Sequence, residues 1–211
     1  MYPDTFLMTR NRTVNNMDEK KKIYVVVTQT GTLLSRILKR VTHKQYNHAS
    51  ISLTETLDTL YSFGRKNPYN AFIGGFVQES PTRGTFGRFK NTDAIVLEKE
   101  VHPLVYDEIK LELDRLYENR SDYKYNYFGL FAGFFGKNIH MKKRYYCSEF
   151  VQYILRKHNI GLPLSPNDMV CPNDFVNLED TKVIYVGKLR AYKAKNKKTK
   201  KKKTSKKSAA S

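Results

Sequence analysis

Apolar residues in this chain alternate between two rhythms, and the changes of rhythm mark out its elements. Ile23-Tyr24-Val25-Val26-Val27-Thr28 is a β-branched run that predicts a short buried strand. Thr32 to Val41 follows with apolar positions 33, 34, 37, 38 and 41 at helical spacing and Thr30 or Thr32 as cap. Residues 48–53 alternate in the strand manner, residues 54–58 make a hairpin connection, and Thr59 to Phe63 returns as the partner strand. Gly64 to Gly87 mixes Gly, Pro, Asn, Arg and aromatics with weak periodicity, and reads as a long loop with little regular structure. Asp93 to Glu98 is another strand, and His102 to Arg120 the best long helix, with Pro103 near its start. Tyr123 to Phe135 is dense in aromatics; it reads as core, with the wall of an apolar acyl-binding groove as the alternative. A second amphipathic helix starts at Cys147, carries apolar positions 147, 150, 151, 154 and 155 on one stripe, and is stopped by Gly161 and Pro163. Residues 165–177 are turn-rich with one short helical piece, and Lys182 to Val186 is a last strand.

Charge divides the same 211 residues differently. The net charge is +18, yet twelve of the Lys and Arg residues, and no acid, lie from Lys188 onward, leaving +6 on the preceding residues. The expected organisation is a polar arm over residues 1–22, one domain over 23–190 and a disordered Lys-rich tail over 191–211. That tail suits nucleic acid, an anionic membrane surface or plain solvent, and its composition does not choose among them. Two cysteines, Cys147 and Cys171, show no metal spacing and no disulfide framework, so a reducing compartment is the simpler expectation. With no signal-like leader and no apolar run of membrane-spanning length, the expected location is cytoplasmic. There is no P-loop and no metal-spaced Cys/His set, so no cofactor and no metal are expected. Nothing in the sequence fixes an oligomeric state.

The chemistry centres on Cys147, in Tyr146-Cys147-Ser148-Glu149-Phe150-Val151. An unpaired Cys is most often a small buried hydrophobe. This one stands at the first turn of a helix, where the dipole and free amides favour thiolate and are placed to hold an oxyanion, the Ser148 position among them. A thiolate nucleophile needs a base, and His48 opens the strand Asn47-His48-Ala49-Ser50-Ile51-Ser52-Leu53. If Ala49, Ile51 and Leu53 face the core, His48, Ser50 and Ser52 form a polar row on the other face, bordering a cleft or simply half-exposed. Ser62, across the hairpin in Leu60-Tyr61-Ser62-Phe63, is placed to orient the imidazole, or is an ordinary strand serine. Gln29, between the first strand and helix, is a candidate oxyanion donor. His43 competes with His48 but falls in a polar loop; His102, His140 and His158 have weaker claims, and Cys171 reads as structural.

The order strand, helix, His-led strand, partner strand, then distant Cys at a helix start resembles the circularly permuted papain-like superfamily. That group includes permuted NlpC-type peptidases, YiiX-like amidases or hydrolases and, more distantly, lecithin:retinol acyltransferase-type enzymes. The motifs that carry the resemblance are Tyr46-Asn47-His48-Ala49-Ser50-Ile51, Tyr61-Ser62-Phe63-Gly64 and the Cys147 segment, within residues 23–186. It implies an α+β permuted papain-like fold, a small mainly antiparallel sheet with the nucleophile helix packed against it. It also implies a cysteine hydrolase, amidase or peptidase or thioester or ester hydrolase, acting on an amide- or ester-containing substrate, peptide or lipid-linked, with acyl transfer as a variant. Cys147 would be nucleophile and His48 base. At the third place many relatives carry Glu or His, where this chain offers Ser62. The competing expectation is a non-catalytic basic adaptor that binds polyanions or membrane through its tail.

Overall fold

The computed structural model describes residues 19–30, 45–133, 135–137, 139–165 and 168–192. Its frame is one eight-stranded sheet in the order β7-β6-β4-β3-β2-β1-β5-β8. The strands are β1 (Lys21–Gln29), β2 (His48–Ser52), β3 (Leu60–Asn67), β4 (Asn70–Glu79), β5 (Asp93–Val101), β6 (Lys124–Tyr125), β7 (Arg144–Tyr145) and β8 (Thr181–Lys188). Every pairing is antiparallel except β6 with β7. Among the described residues the helices that accompany them include α1 (Gly84–Arg88), α2 (Pro103–Glu118), α3 (Tyr127–Gly133) and α4 (Cys147–Arg156), with a 3-10 segment over Pro172–Asn177. The chain is thus a mixed α and β protein built on a mainly antiparallel sheet, larger than the small sheet expected.

Both faces of the central strands are covered. On one, Ile23, Val25 and Val27 of β1, Ala49 and Ile51 of β2 and Phe63 of β3 join the buried faces of α2 and α4 in the main core. The stripe of α4 is as its periodicity predicts: Phe150, Val151, Ile154 and Leu155 are at most 1% exposed, each burial stabilising by roughly 2 kcal/mol. The helix stops earlier than Gly161, where Asn159 takes a positive φ of 57° and Ile160 N–H returns to the Leu155 carbonyl. On the opposite face Tyr24, Val26, Leu60, Phe86, Val96 and Leu189 form a second apolar cluster. The two serines of the β2 polar row therefore border no solvent. Ser50 and Ser52 are fully buried there, with hydroxyls donated to the carbonyls of Val26 and Thr54.

The largest correction concerns residues 64–87. Instead of a long loop, β3 runs on to Asn67, turns tightly and returns as β4, with α1 beyond it. The turn is made by Asn67 and Asn70, whose side-chain oxygens accept from Tyr69 N–H at 2.8 Å and Phe72 N–H at 2.9 Å. Gly74 and Gly75, which break the apolar alternation, are strand residues with neighbours pressed on them. A Cβ at Gly74 would come within 2.7 Å of the Tyr127 hydroxyl. A Cβ at Gly75 would run into the backbone carbonyl of Tyr123 and the Lys66 side chain.

The aromatic stretch 123–135 splits between two roles: Tyr123, Tyr125 and Leu130 are buried, whereas Phe128, Phe131 and Phe135 are exposed. Helix α2 begins one residue inside expectation, with His102 as cap: its Nδ1 accepts from Leu104 N–H at 3.2 Å. The helix expected over 32–41, His43, most of the N-terminal arm and the tail beyond Tyr192 lie outside the described residues. Among the described residues no helix is long and apolar enough to cross a membrane.

Candidate functional site

Cys147 is the first residue of α4, and β2 brings the backbone of residues 47–49 against its sulfur. The thiol donates to the Asn47 carbonyl at 3.9 Å, and the amides of Ala49 and Ser148 point at the same sulfur. Asn47 is itself fixed from two sides. Its N–H donates to the Thr28 carbonyl at 3.1 Å, and its side-chain oxygen accepts from Thr30 N–H at 3.3 Å. Asn47 is thus tied to the end of β1 by one main-chain bond and one bond to its own side chain, and presents its carbonyl to the thiol.

His48 closes the arrangement. Its ring hydrogen-bonds Cys147, and its Nε2 lies 2.8 Å from Oε2 of Glu79. Glu79 ends β4, two strands from β2. Gly64 lies beneath the pair: a Cβ there would stand 3.5 Å from Glu79 Oε1 and 3.6 Å from His48 Cε1. Phe86 of α1 meets the imidazole edge-on at 6.0 Å. The side chains of His48 and Glu79 are only 13% and 8% exposed, so their attraction acts in a poorly screened setting.

Electrostatics follow from that enclosure. Burial alone would push the imidazole down; the charge of Glu79 and the hydrogen bonds to Cys147 and Glu79 outweigh it and carry His48 up to about 10. Burial likewise pushes the Cys147 thiol up. The bond to His48, its charge and the Ala49 and Ser148 amides overcome this and hold the thiol below its ordinary value. Both shifts favour thiolate facing imidazolium.

The third partner corrects the expectation placed on Ser62. That hydroxyl is fully buried and donates to the Ala49 carbonyl at 2.6 Å, so it braces β2 against β3 and does not touch the imidazole. Glu79 stands where Ser62 was expected. Ser148 is divided: its hydroxyl donates to the Val170 carbonyl at 2.8 Å, and only its backbone amide faces the sulfur. Gln29 ends β1, one residue past Thr28, the register partner of His48. Its Oε1 is buried without a hydrogen-bond partner, so this atom is not spent on the fold.

Tyr125 is a participant that sequence reasoning missed. Its hydroxyl accepts from the Cys147 amide and hydrogen-bonds the sulfur; burial first, then the Cys147 charge, holds the phenol well above its usual value. Two other described histidines serve elsewhere. His140 Nδ1 lies 2.6 Å from Glu149 Oε1, whose second oxygen accepts from Tyr146 N–H at 3.2 Å and so caps α4. His158 Nδ1 lies 3.1 Å from Glu108. Both cysteines are free. Among the described residues no group of three or more His, Cys, Asp or Glu is arranged to hold a metal.

The sulfur is enclosed. Cys147 is 4% exposed. A cavity of about 250 Å³ lies against Glu79 together with Arg65, Ser80 and Thr85. Comparison with protein-family models, with curated proteins and with solved structures finds no match to this chain.

Proposed function

We propose that this chain is a cysteine-dependent hydrolase of the permuted papain-like kind, cleaving an amide, ester or thioester through an acyl-enzyme. The observation that carries the reading is the contact chain Cys147–His48–Glu79, with the sulfur at a helix start and the imidazole bonded to both the thiol and the carboxylate. The Cys147 thiolate attacks the carbonyl carbon, and the carbonyl π pair moves onto oxygen. Donors near the sulfur are available for that oxyanion, the Tyr125 hydroxyl and the Ser148 amide among them. As the tetrahedral centre collapses, the imidazolium gives its proton to the departing amine, alcohol or thiol. Water then attacks the thioester while His48 takes its proton, and the acid leaves with the thiolate restored. Glu79 holds the ring and stabilises its charged form throughout.

The enclosure of the sulfur favours a second reading, in which the domain is catalytically idle and the basic chain acts as an adaptor. Labelling with a thiol-directed activity probe separates the two. The hydrolase reading expects labelling at Cys147 that is lost in both Cys147→Ala and His48→Ala. Labelling that persists in Cys147→Ala, or that His48→Ala leaves untouched, would favour the idle domain.

A further inference from the structure

The β4-β6-β7 edge of the sheet carries apolar surface that packing does not explain. Tyr69 and Phe72, at and just beyond the β3–β4 turn, are 79% and 87% exposed, and Ile73 beside them is 52% exposed. On α3, Phe128 and Phe131 are one helical turn apart and both exposed, with Phe135 following at 84%. The two groups adjoin, because Gly74, directly after Ile73, is pressed against Tyr127, directly before Phe128. Large aromatics concentrated at one edge mark a contact surface.

Charge identifies what that surface fits. Residues 59–78 and 123–148, from this edge, contain seven Lys and Arg and no acid; the acids that border them in sequence include Glu79, engaged with His48, and Asp122, paired with Lys143 at 2.8 Å. Lys66, Lys124, Lys137 and Lys142 are exposed there. At the turn, the Arg88 guanidinium lies 4.3 Å over the Tyr69 ring and bonds the Pro68 carbonyl, which stiffens the tip. Aromatic tips within a predominantly basic margin match an anionic bilayer: rings suit the headgroup boundary, and lysines suit lipid phosphates. We propose that this edge docks the protein on anionic membrane surfaces, with Phe72, Ile73, Phe128 and Phe131 entering the interface. The docking is independent of the thiol chemistry, and Cys147→Ala binds as the parent does. It is also distinct from any contact made by the Lys-rich tail, since salt releases a purely electrostatic contact while buried aromatics resist it.

The chain contains no Trp, so single substitutions report directly in the full-length protein. Phe72→Trp and Phe128→Trp are titrated with vesicles of phosphatidylcholine alone and of phosphatidylcholine with phosphatidylglycerol. Val186→Trp, on the strand at the opposite edge of the sheet, is the control. The expected result is a blue shift and quenching by brominated lipid at positions 72 and 128 with the anionic vesicles only, and no change at 186. Replacing Phe72, Ile73, Phe128 and Phe131 by Ser lowers partitioning at high salt by roughly tenfold or more. Indoles at 72 and 128 that stay water-exposed while the protein sediments with vesicles would overturn the proposal, leaving the tail as the contact. A blue shift that needs protein concentration and no lipid would overturn it in favour of a second copy on this face.

Discussion

Nε2 of His48 and Oε2 of Glu79 are 2.8 Å apart, although β3 runs between the strands that carry them. Gly64, in that intervening strand, offers no side chain to separate them. The pair makes His48 more than a neighbour of a sulfur. Its charged form is held by the carboxylate at Nε2 and favoured by the bond to Cys147.

Replacing Glu79 by Gln tests that arrangement. Because the folded imidazole holds its proton up to about 10, above the unfolded value of about 6.5, this group stabilises the fold fully below about 6.5. The contribution is lost as pH rises through about 10. Glu79→Gln should weaken that alkaline transition, cost about 3 kcal/mol near neutrality by leaving a buried charge without its partner, and slow turnover by roughly 100-fold. Ser62→Ala should cost about 1–2 kcal/mol from the lost bond to Ala49 and leave the pH profile where it is. Chemical denaturation and turnover, each measured against pH, distinguish the two. Equal profiles would remove Glu79 from its role.

Tyr125→Phe keeps the ring and removes the hydroxyl that meets both the amide and the sulfur of Cys147. Losing a donor to the thiolate should raise the apparent thiol pKa, and losing the acceptor of a helix-start amide should cost about 1 kcal/mol. Alkylation rate against pH is the measurement. A shift toward acid would contradict the assignment.

Gly75→Ala should destabilise by about 2 kcal/mol or more, because its new Cβ meets the Tyr123 backbone and not a yielding side-chain end. Thermal melting checks it, and an unchanged midpoint would mean that β6 approaches β4 less closely than described.

These residues show what was legible in the chain. Cys147 and His48 each open an element whose periodicity is plain, so their places at a helix start and a strand start could be read without coordinates. Glu79 was hidden because it closes a strand that looks like loop: Gly74 and Gly75 interrupt the alternation, and exposed Phe72 and Ile73 blur inside and outside. The turn residues Asn67-Pro68-Tyr69-Asn70 were the available signal, since Asn side chains commonly fold back on the backbone two residues on. Tyr125 was concealed within an aromatic run, where composition does not separate a buried hydroxyl aimed at a thiol from exposed rings two turns of sequence away. Ser62 was the right kind of residue in the wrong bond: hairpin pairing set its neighbourhood, and the Ala49 carbonyl claimed its hydroxyl.

The most direct test is the rate of Cys147 alkylation as a function of pH, mapped by peptide so that Cys171 in the same molecule serves as reference. Cys147 should alkylate with an apparent pKa below that of an ordinary thiol, ~8.5, and His48→Ala should move that midpoint upward while Cys171 stays unchanged. A Cys147 that titrates at or above the ordinary value in the parent protein, indifferent to His48, would contradict the account.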